Sequence, residues 1–271
     1  MKKLQNRNYG SWALITGAAG GMGRHYGMKL AGLGYNVILV DRNGEGLEKL
    51  AAEIGQNHPS AAVLALDMDL ARCEAAKELA QRVAEFKVEV LVNNAGILLS
   101  QYISEASDES LSNIVLLHCY TPLLLCHYLV GPMLERGCGY ILNVSSFSSW
   151  AEWPMIGIYG GSKRFIKAFS RQLRIECRGT GVSVTNAYYG AVDTPMIPLP
   201  DNLKRLAYRL GIMISADKAT DISLKALFKR KRGAIPGMLY KIALPFCIIM
   251  PERLLSRIFR KVKKIATLPA K

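Results

Sequence analysis

Tyr159 and Lys163 stand four residues apart in Y-G-G-S-K. On a helix, positions i and i+4 share a face, so the lysine ammonium would lie close to the phenol. A tyrosine has a reference pKa near ~10, and a neighbouring cation favours the phenolate. Such a pair is suited to moving a proton to or from a carbonyl oxygen. Taken alone, the same spacing also describes an ordinary solvated helix face.

A second group of residues is suited to holding phosphate. Residues 16–23 read T-G-A-A-G-G-M-G, an apolar run before them and a helical stretch after them. A glycine-rich turn between strand and helix presents backbone N–H groups and a helix N-terminus to a pyrophosphate, here through Gly17, Gly21, Met22 and Gly23. The spacing is T-G-x-x-x-G-x-G instead of G-x-G-x-x-G, and a tight strand-to-helix turn is the alternative. Asp41 follows Gly17 by 24 residues at the end of V-I-L-V-D. An acid there accepts hydrogen bonds from the adenosine ribose hydroxyls and repels a 2′-phosphate, which predicts NAD. The adjacent Arg42 could pair with that phosphate, so NADP stays open.

These residues need a scaffold, and the hydropathy pattern supplies one. Apolar strand-like runs occur at 12–16, 37–40, 63–66, 88–92, 140–144 and 182–187. Helical stretches alternate with them, for example 24–33, 46–54 with Leu47, Leu50, Ala51 and Ile54 on one face, and 71–86 with Ala75, Ala76, Leu79, Val83 and Phe86. Strand–helix alternation predicts an α/β fold: a doubly wound, Rossmann-like parallel sheet with helices on both faces. We expect one domain over 1–235, including a lid at 195–215, followed by a basic amphipathic C-terminal extension at 236–271.

T-G-x-x-x-G-x-G, Asn93-Asn94-Ala95-Gly96, Ser146 and Y-x-x-x-K, in this order and with Ser146 thirteen residues before Tyr159, resemble the classical short-chain dehydrogenase/reductase family over about residues 11–196. The resemblance implies a nicotinamide cofactor and hydride transfer between a carbonyl and an alcohol. By it Tyr159 is the general acid/base, Lys163 holds the nicotinamide ribose and lowers the tyrosine pKa, and Ser146 hydrogen-bonds the substrate oxygen. Asn94 and Gly96 support the cofactor side, Asp69 meets the adenine, and Val192 and Thr194, with Gly190, lie beside the nicotinamide amide. Asp67 is an equally placed acid, and a strand-end cap is the alternative for either.

The sequence departs from the family pattern twice. Where the family carries an asparagine that holds a water linking the lysine to solvent, the segment L-L-H-C-Y-T-P has His118; Asn113 is too early to substitute. A histidine with a pKa near ~6.5 would add its own pH dependence, and core packing is the alternative. Where the family has P-G, this chain has Tyr189-Gly190. Tyr189 would narrow the pocket or stack on a flat substrate, or else simply pack.

Residues 114–134 contain no Asp, Glu, Lys or Arg and are long enough to span a bilayer. We read them as the family's long buried helix, which in many members pairs with its copy, so a homodimer or homotetramer is expected. No signal peptide is recognisable at the N-terminus. The six cysteines show no C-x-x-C or metal-ligand spacing, which predicts no metal and a reducing, cytoplasmic setting.

The net charge of +14 is concentrated at one end. From residue 225 onward 13 Lys and Arg face one acid, Glu252, leaving only +2 on the first 224 residues. A nearly neutral body argues against nucleic acid as a partner. Beyond Pro251, Leu254, Leu255, Ile258 and Val262 share a face ringed by Arg253, Arg257, Arg260, Lys261 and Lys264. Such a helix lies readily on an anionic membrane, each basic residue contributing about 1 kcal/mol. Packing on its own domain or a partner subunit is the alternative. The tail resembles that of the lipid- and steroid-active branch, and the lid is rich in Met196, Ile197, Leu199, Leu203, Leu206, Leu210 and Ile212.

We therefore expect an oxidoreductase acting on a hydrophobic alcohol or ketone, such as a steroid or long-chain 3-oxoacyl group, cytoplasmic and peripheral on a membrane. The competing reading is a membrane-associated nucleotide-binding protein of the same fold with weak or no turnover.

Overall fold

The computed structural model describes residues 10–151, 155–197, 199–257 and 260. In chain order the elements are β1 (Trp12–Thr16), α1 (Gly21–Gly32), β2 (Asn36–Asp41), α2 (Gly44–Asn57), β3 (Val63–Asp67), α3 (Ala75–Arg82), β4 (Val88–Asn93), α4 (Asp108–Val115), α5 (Thr121–Glu135), β5 (Gly139–Ser146), α6 (Gly157–Glu176) and β6 (Val182–Tyr189). Then come β7 (Ala191–Asp193), α7 (Asp201–Arg209), β8 (Met213–Ser215), α8 (Ala216–Phe228), β9 (Gly233–Ala234) and α9 (Met238–Ile249).

Seven strands form a parallel sheet in the order β3-β2-β1-β4-β5-β6-β9, and β7 and β8 form a separate parallel pair. Alternate residues of each strand feed two cores. Ala13, Ile15, Val37 and Leu39 pack against Tyr26 and Leu30 of α1, Leu47 and Leu50 of α2, and Leu224 and Leu227 of α8. Leu14, Ile38, Val40 and Leu91 pack on the other face against Leu79 of α3, Leu125 and Met133 of α5, and Leu173 of α6. The expected doubly wound sheet is thus the observed one. Strand order reverses between β1 and β4, which opens a crevice at their C-terminal ends.

Three asparagines fix the register there: Asn93, Asn143 and Asn186 are direct neighbours across β4, β5 and β6. Asn93 donates to Asn143 at 2.8 Å, and Asn143 donates to the Ser170 hydroxyl of α6 at 2.7 Å. A slip of one residue would strand these buried amides without partners.

All six expected strands form, each within two residues of its expected ends. The helix expected over 71–86 is shorter, because the Asp69 carboxylate accepts the Ala71 N–H at 2.9 Å and holds that segment in a turn. The long apolar helix is interrupted by a π-helical turn at Leu116–Tyr120. Pro122 has no N–H to give the His118 carbonyl, and the widened turn accommodates that missing bond. One side of the run packs against α3 and the sheet, while Val115, Tyr120 and Leu134 remain exposed. By length and composition it could cross a membrane.

Candidate active site

The turn after β1 is built around glycine. Gly17 and Gly21 have φ of +66° and +51°, a region that L side chains rarely adopt. A Cβ on Gly17 would lie 2.8 Å from Ala95 Cα, and one on Gly23 would lie 1.8 Å from the Gly17 carbonyl oxygen. These two positions are thus demanded by the turn's own packing. Gly20 faces open space instead, and Gly21 has only Thr194 near it, at 3.5 Å. No side chain caps α1 and no acid stands in its first turn, which contains Met22 and Gly23. The free N–H groups and positive helix end are therefore available to an anion, and the room at Gly20 and Gly21 fits a dinucleotide's pyrophosphate.

Asn94 ties this turn to β4: its amide donates to the carbonyls of Thr16 at 3.0 Å and Gly17 at 3.1 Å. The Thr16 hydroxyl accepts the N–H groups of Asn94 and Ala95. A cleft of about 240 Å³ follows, lined by Gly17, Asp41, Arg42, Asp69, Ala95 and Gly96 among others. Asp41 is held there by accepting the N–H groups of Ala19 at 3.0 Å and Asn43 at 3.1 Å. Of the two acids after β3, Asp69 lines the cleft; Asp67 lies against Gly44 at the start of α2.

At the Gly96 end, a Cβ on that glycine would lie 2.8 Å from His118 Nε2 and 3.6 Å from Lys163 Nζ. Lys163 is buried, donates to the Val144 carbonyl at 3.1 Å and lies 5.6 Å from the Tyr159 ring centroid. Burial pushes its pKa down to about 8. The Tyr159 phenol is pushed above its ordinary value by burial, against a lowering contribution from its hydrogen bond with Ser146. Here burial, and not Lys163, sets the direction of the phenol's shift. The ammonium is turned onto Val144, and drying of the phenol outweighs the Ser146 bond. Ser146 itself accepts the Ser148 N–H at 3.2 Å and donates to the Tyr189 carbonyl at 3.3 Å.

His118 is held by both of its ring nitrogens. Its Nε2 accepts the Ile97 N–H at 3.0 Å, and its Nδ1 lies 2.9 Å from the Ser162 hydroxyl. Ser162 gives its own proton to the Tyr159 carbonyl at 2.8 Å, which assigns the histidine proton to Nδ1. Both nitrogens are used, so neither is left to hold a water. Burial, with the Lys163 ammonium second, holds the ring well below the usual histidine range. Of the two readings of His118, this geometry favours the packed one over titration near ~6.5. The sequence reading missed Ser162, whose signal was only its place one residue before Lys163.

For Tyr189 the packing alternative is the observed one. β6 alternates, so Tyr189 enters the core, where its hydroxyl bonds that of Tyr26 and lies 3.4 Å from the Ala219 carbonyl. Its neighbour Tyr188 turns the other way, its ring centroid 4.2 Å from that of Trp150. Val192 is buried, and Thr194 stands beside the glycine turn. The lid region carries α7, tied at Asp193 by Lys204 at 3.0 Å and Tyr208 at 3.1 Å. Leu203, Leu206 and Leu210 are exposed instead of packing it down. Pro198, Ile258, Val262, Lys261 and Lys264 lie outside the described residues.

The fold and its crevice define an α/β protein of the doubly wound, dinucleotide-binding class. Within that class the chain belongs to the short chain dehydrogenase family, whose model matches residues 11–200. It is 34% identical over 179 residues to a very-long-chain 3-oxoacyl-CoA reductase of Aspergillus terreus, covering 65% of this chain and 51% of that one. It is 33% identical over 203 residues to 17-beta-hydroxysteroid dehydrogenase type 3 of Mus musculus, covering 72% and 65%. The chain thus spans about half the length of the fungal reductase and two thirds of the mouse enzyme. A solved 7beta-hydroxysteroid dehydrogenase superposes with a TM-score of 0.83 at 25% identity, covering 93% of this chain and 97% of that one.

Proposed function

We propose that the protein is an oxidoreductase that moves a hydride between NAD(H) and a hydrophobic alcohol or ketone of the steroid or long-chain acyl type. The observation that carries this reading is buried Lys163 with its ammonium 5.6 Å from the Tyr159 ring, at the Gly96 end of a cleft that begins at the glycine turn. The residues that would hold the cofactor are Gly17, Gly21, Met22, Gly23, Asp41, Arg42, Asp69, Asn94, Gly96, Val192 and Thr194, with Tyr159 and Lys163. When bound, the nicotinamide supplies or accepts the hydride. Tyr159 gives its phenolic proton to the carbonyl oxygen during reduction, and Ser146 hydrogen-bonds that oxygen. The Lys163 ammonium lies near enough to stabilise the phenolate left behind. The exposed lid leucines and the names of the relatives support a hydrophobic substrate.

In the same reading a second copy covers the exposed side of the 108–135 run, and the protein is cytoplasmic with its basic tail on an anionic membrane surface. The direct test follows NADH and NADPH absorbance against steroid ketones, 3-oxoacyl thioesters and aliphatic aldehydes. NADH is the expected donor, because the fixed Asp41 carboxylate repels a 2′-phosphate. Asp41→Ala should reduce the NADH-over-NADPH ratio of kcat/KM by ~10-fold or more, about 1.4 kcal/mol. A wild-type preference for NADPH would transfer that role to Arg42.

The pH profile has a definite sign. Reduction needs protonated Tyr159 and charged Lys163. Burial raises the tyrosine, so it keeps its proton, while Lys163 loses its charge above about 8. The reduction rate should be level through neutral pH and fall above about 8. No limb should appear near ~6.5, because His118 stays neutral there. An inflection near that value would show that His118 titrates.

A further inference from the structure

The extension and the lid are joined by one side chain. Tyr240 of α9 places its hydroxyl between the two strands of the small sheet, accepting the Ala191 N–H at 2.8 Å and donating to the Ile212 carbonyl at 2.7 Å. Ala191 and Met213 are register partners, so the hydroxyl spans the next step of the ladder, between the strand that precedes α7 and the one that follows it. Gly190 makes this possible, since a Cβ there would lie 1.8 Å from the Tyr240 ring. The same ring packs 4.9 Å from Phe147, the residue after Ser146. α9 is therefore bolted to the wall that carries Val192 and Thr194.

Apart from that anchor, α9 buries no residue. Ile242, Phe246, Ile248 and Ile249 are 59–74% exposed. Across the Tyr240–Ile212 contact, Leu210 and Ile212 of the lid are exposed as well. Both elements are basic: Arg205 and Arg209 lie on α7, where Lys204 is spent on Asp193, Lys241 lies on α9, and Arg253, Arg257 and Arg260 lie beyond it, against Asp201 and Glu252. A twelve-residue helix is about 18 Å long, too short to span a bilayer but suited to lying in its interface.

We propose that α9 and the lid form one docking face for an anionic lipid bilayer, and that the substrate enters the site from that bilayer past the lid. This rests on the oxidoreductase reading for its substrate but not for its docking surface. Apolar side chains ringed by arginine and lysine match a layer of acyl chains under anionic headgroups. Tyr240 ties the docked helix to the strands on either side of α7.

The test uses the full chain with vesicles of phosphatidylcholine alone or with phosphatidylglycerol. The readouts are flotation and NADH oxidation by a long-chain ketone carried in the vesicles or by a short water-soluble ketone. The wild type should float only with anionic vesicles, less so at high salt, and reduce the vesicle-borne ketone ~10-fold faster in them. Ile242→Glu with Ile249→Glu should lose flotation and that acceleration while the short ketone is reduced as before. Arg253→Glu with Arg257→Glu, which leaves the apolar face intact, should weaken both.

Equal rates in neutral and anionic vesicles, or unaltered flotation of the Ile242 and Ile249 variant, would overturn the proposal. A loss of oligomer in solution with no flotation by the wild type would assign the face to a second copy instead. No turnover of either ketone would defeat the oxidoreductase reading, and flotation would still decide the docking.

Discussion

Tyr159→Phe should lower kcat for ketone reduction by ~10²–10⁴-fold, the usual worth of a positioned proton donor, while NADH binds as in the wild type. The substitution removes one oxygen and keeps the ring, which packs edge-on against His118 with centroids 5.6 Å apart. Packing and helix geometry are therefore retained, and so is the bond from Ser162 to the Tyr159 carbonyl, which uses only the backbone. What disappears is the phenolic proton. NADH absorbance gives kcat and NADH fluorescence gives binding. A kcat within ~3-fold of wild type would remove Tyr159 from the proton transfer. Binding without turnover by the wild type, across a broad ketone panel, would favour the non-catalytic nucleotide-binding reading. Its two sequence motives have lost force, since both His118 and Tyr189 have packing explanations here.

The second large effect is expected at the glycine turn. Gly23→Ala introduces a Cβ 1.8 Å from the Gly17 carbonyl oxygen and 2.9 Å from Ala18 Cα. Both are backbone atoms of the same tight turn, so no side chain can swing aside to relieve the clash. Overpacking against backbone puts the cost at the upper end of the usual range, ~3 kcal/mol, corresponding to a fall in Tm of ~6–12 °C for a chain of this size. NADH binding should be lost with the turn, because the N–H groups at the start of α1 would no longer converge. Gly55→Ala is the control: it lies within α2 with nothing within 4 Å of the added methyl. There alanine should raise stability by ~0.5–1 kcal/mol through helix propensity. Thermal melts of the two variants should therefore move in opposite directions, and similar melts would mean that the turn relaxes around the methyl.

The amino-acid sequence by itself determined strands β1 to β6, most of the helices between them, the order in which they alternate and the positions of the reactive side chains. These follow from local rules. Apolar runs bounded by turn residues mark buried parallel strands, a 3.6-residue repeat marks the helices, and a four-residue interval puts Tyr159 above Lys163. The glycines could be read as a turn, and the structure adds that Gly17 and Gly23 are required by backbone contact. Asp69 and Asp67 were equivalent along the chain and are separated only by which of them borders the cleft.

The tertiary structure decided what each reactive group is next to. His118 takes its tautomer from Ile97, 21 residues before it, and from Ser162, 44 residues after it. Tyr189 is drawn from the pocket wall into the core by Tyr26, 163 residues away. Lys163 has its pKa set by the dryness of its site and donates a hydrogen bond to the Val144 carbonyl. Tyr240 finds Ala191 and Ile212 only because the chain returns past β6 before entering α9. Periodicity is a property of neighbours along the chain. Burial and hydrogen-bond partnership are properties of neighbours in space, and they come into being only when distant segments close around the sheet.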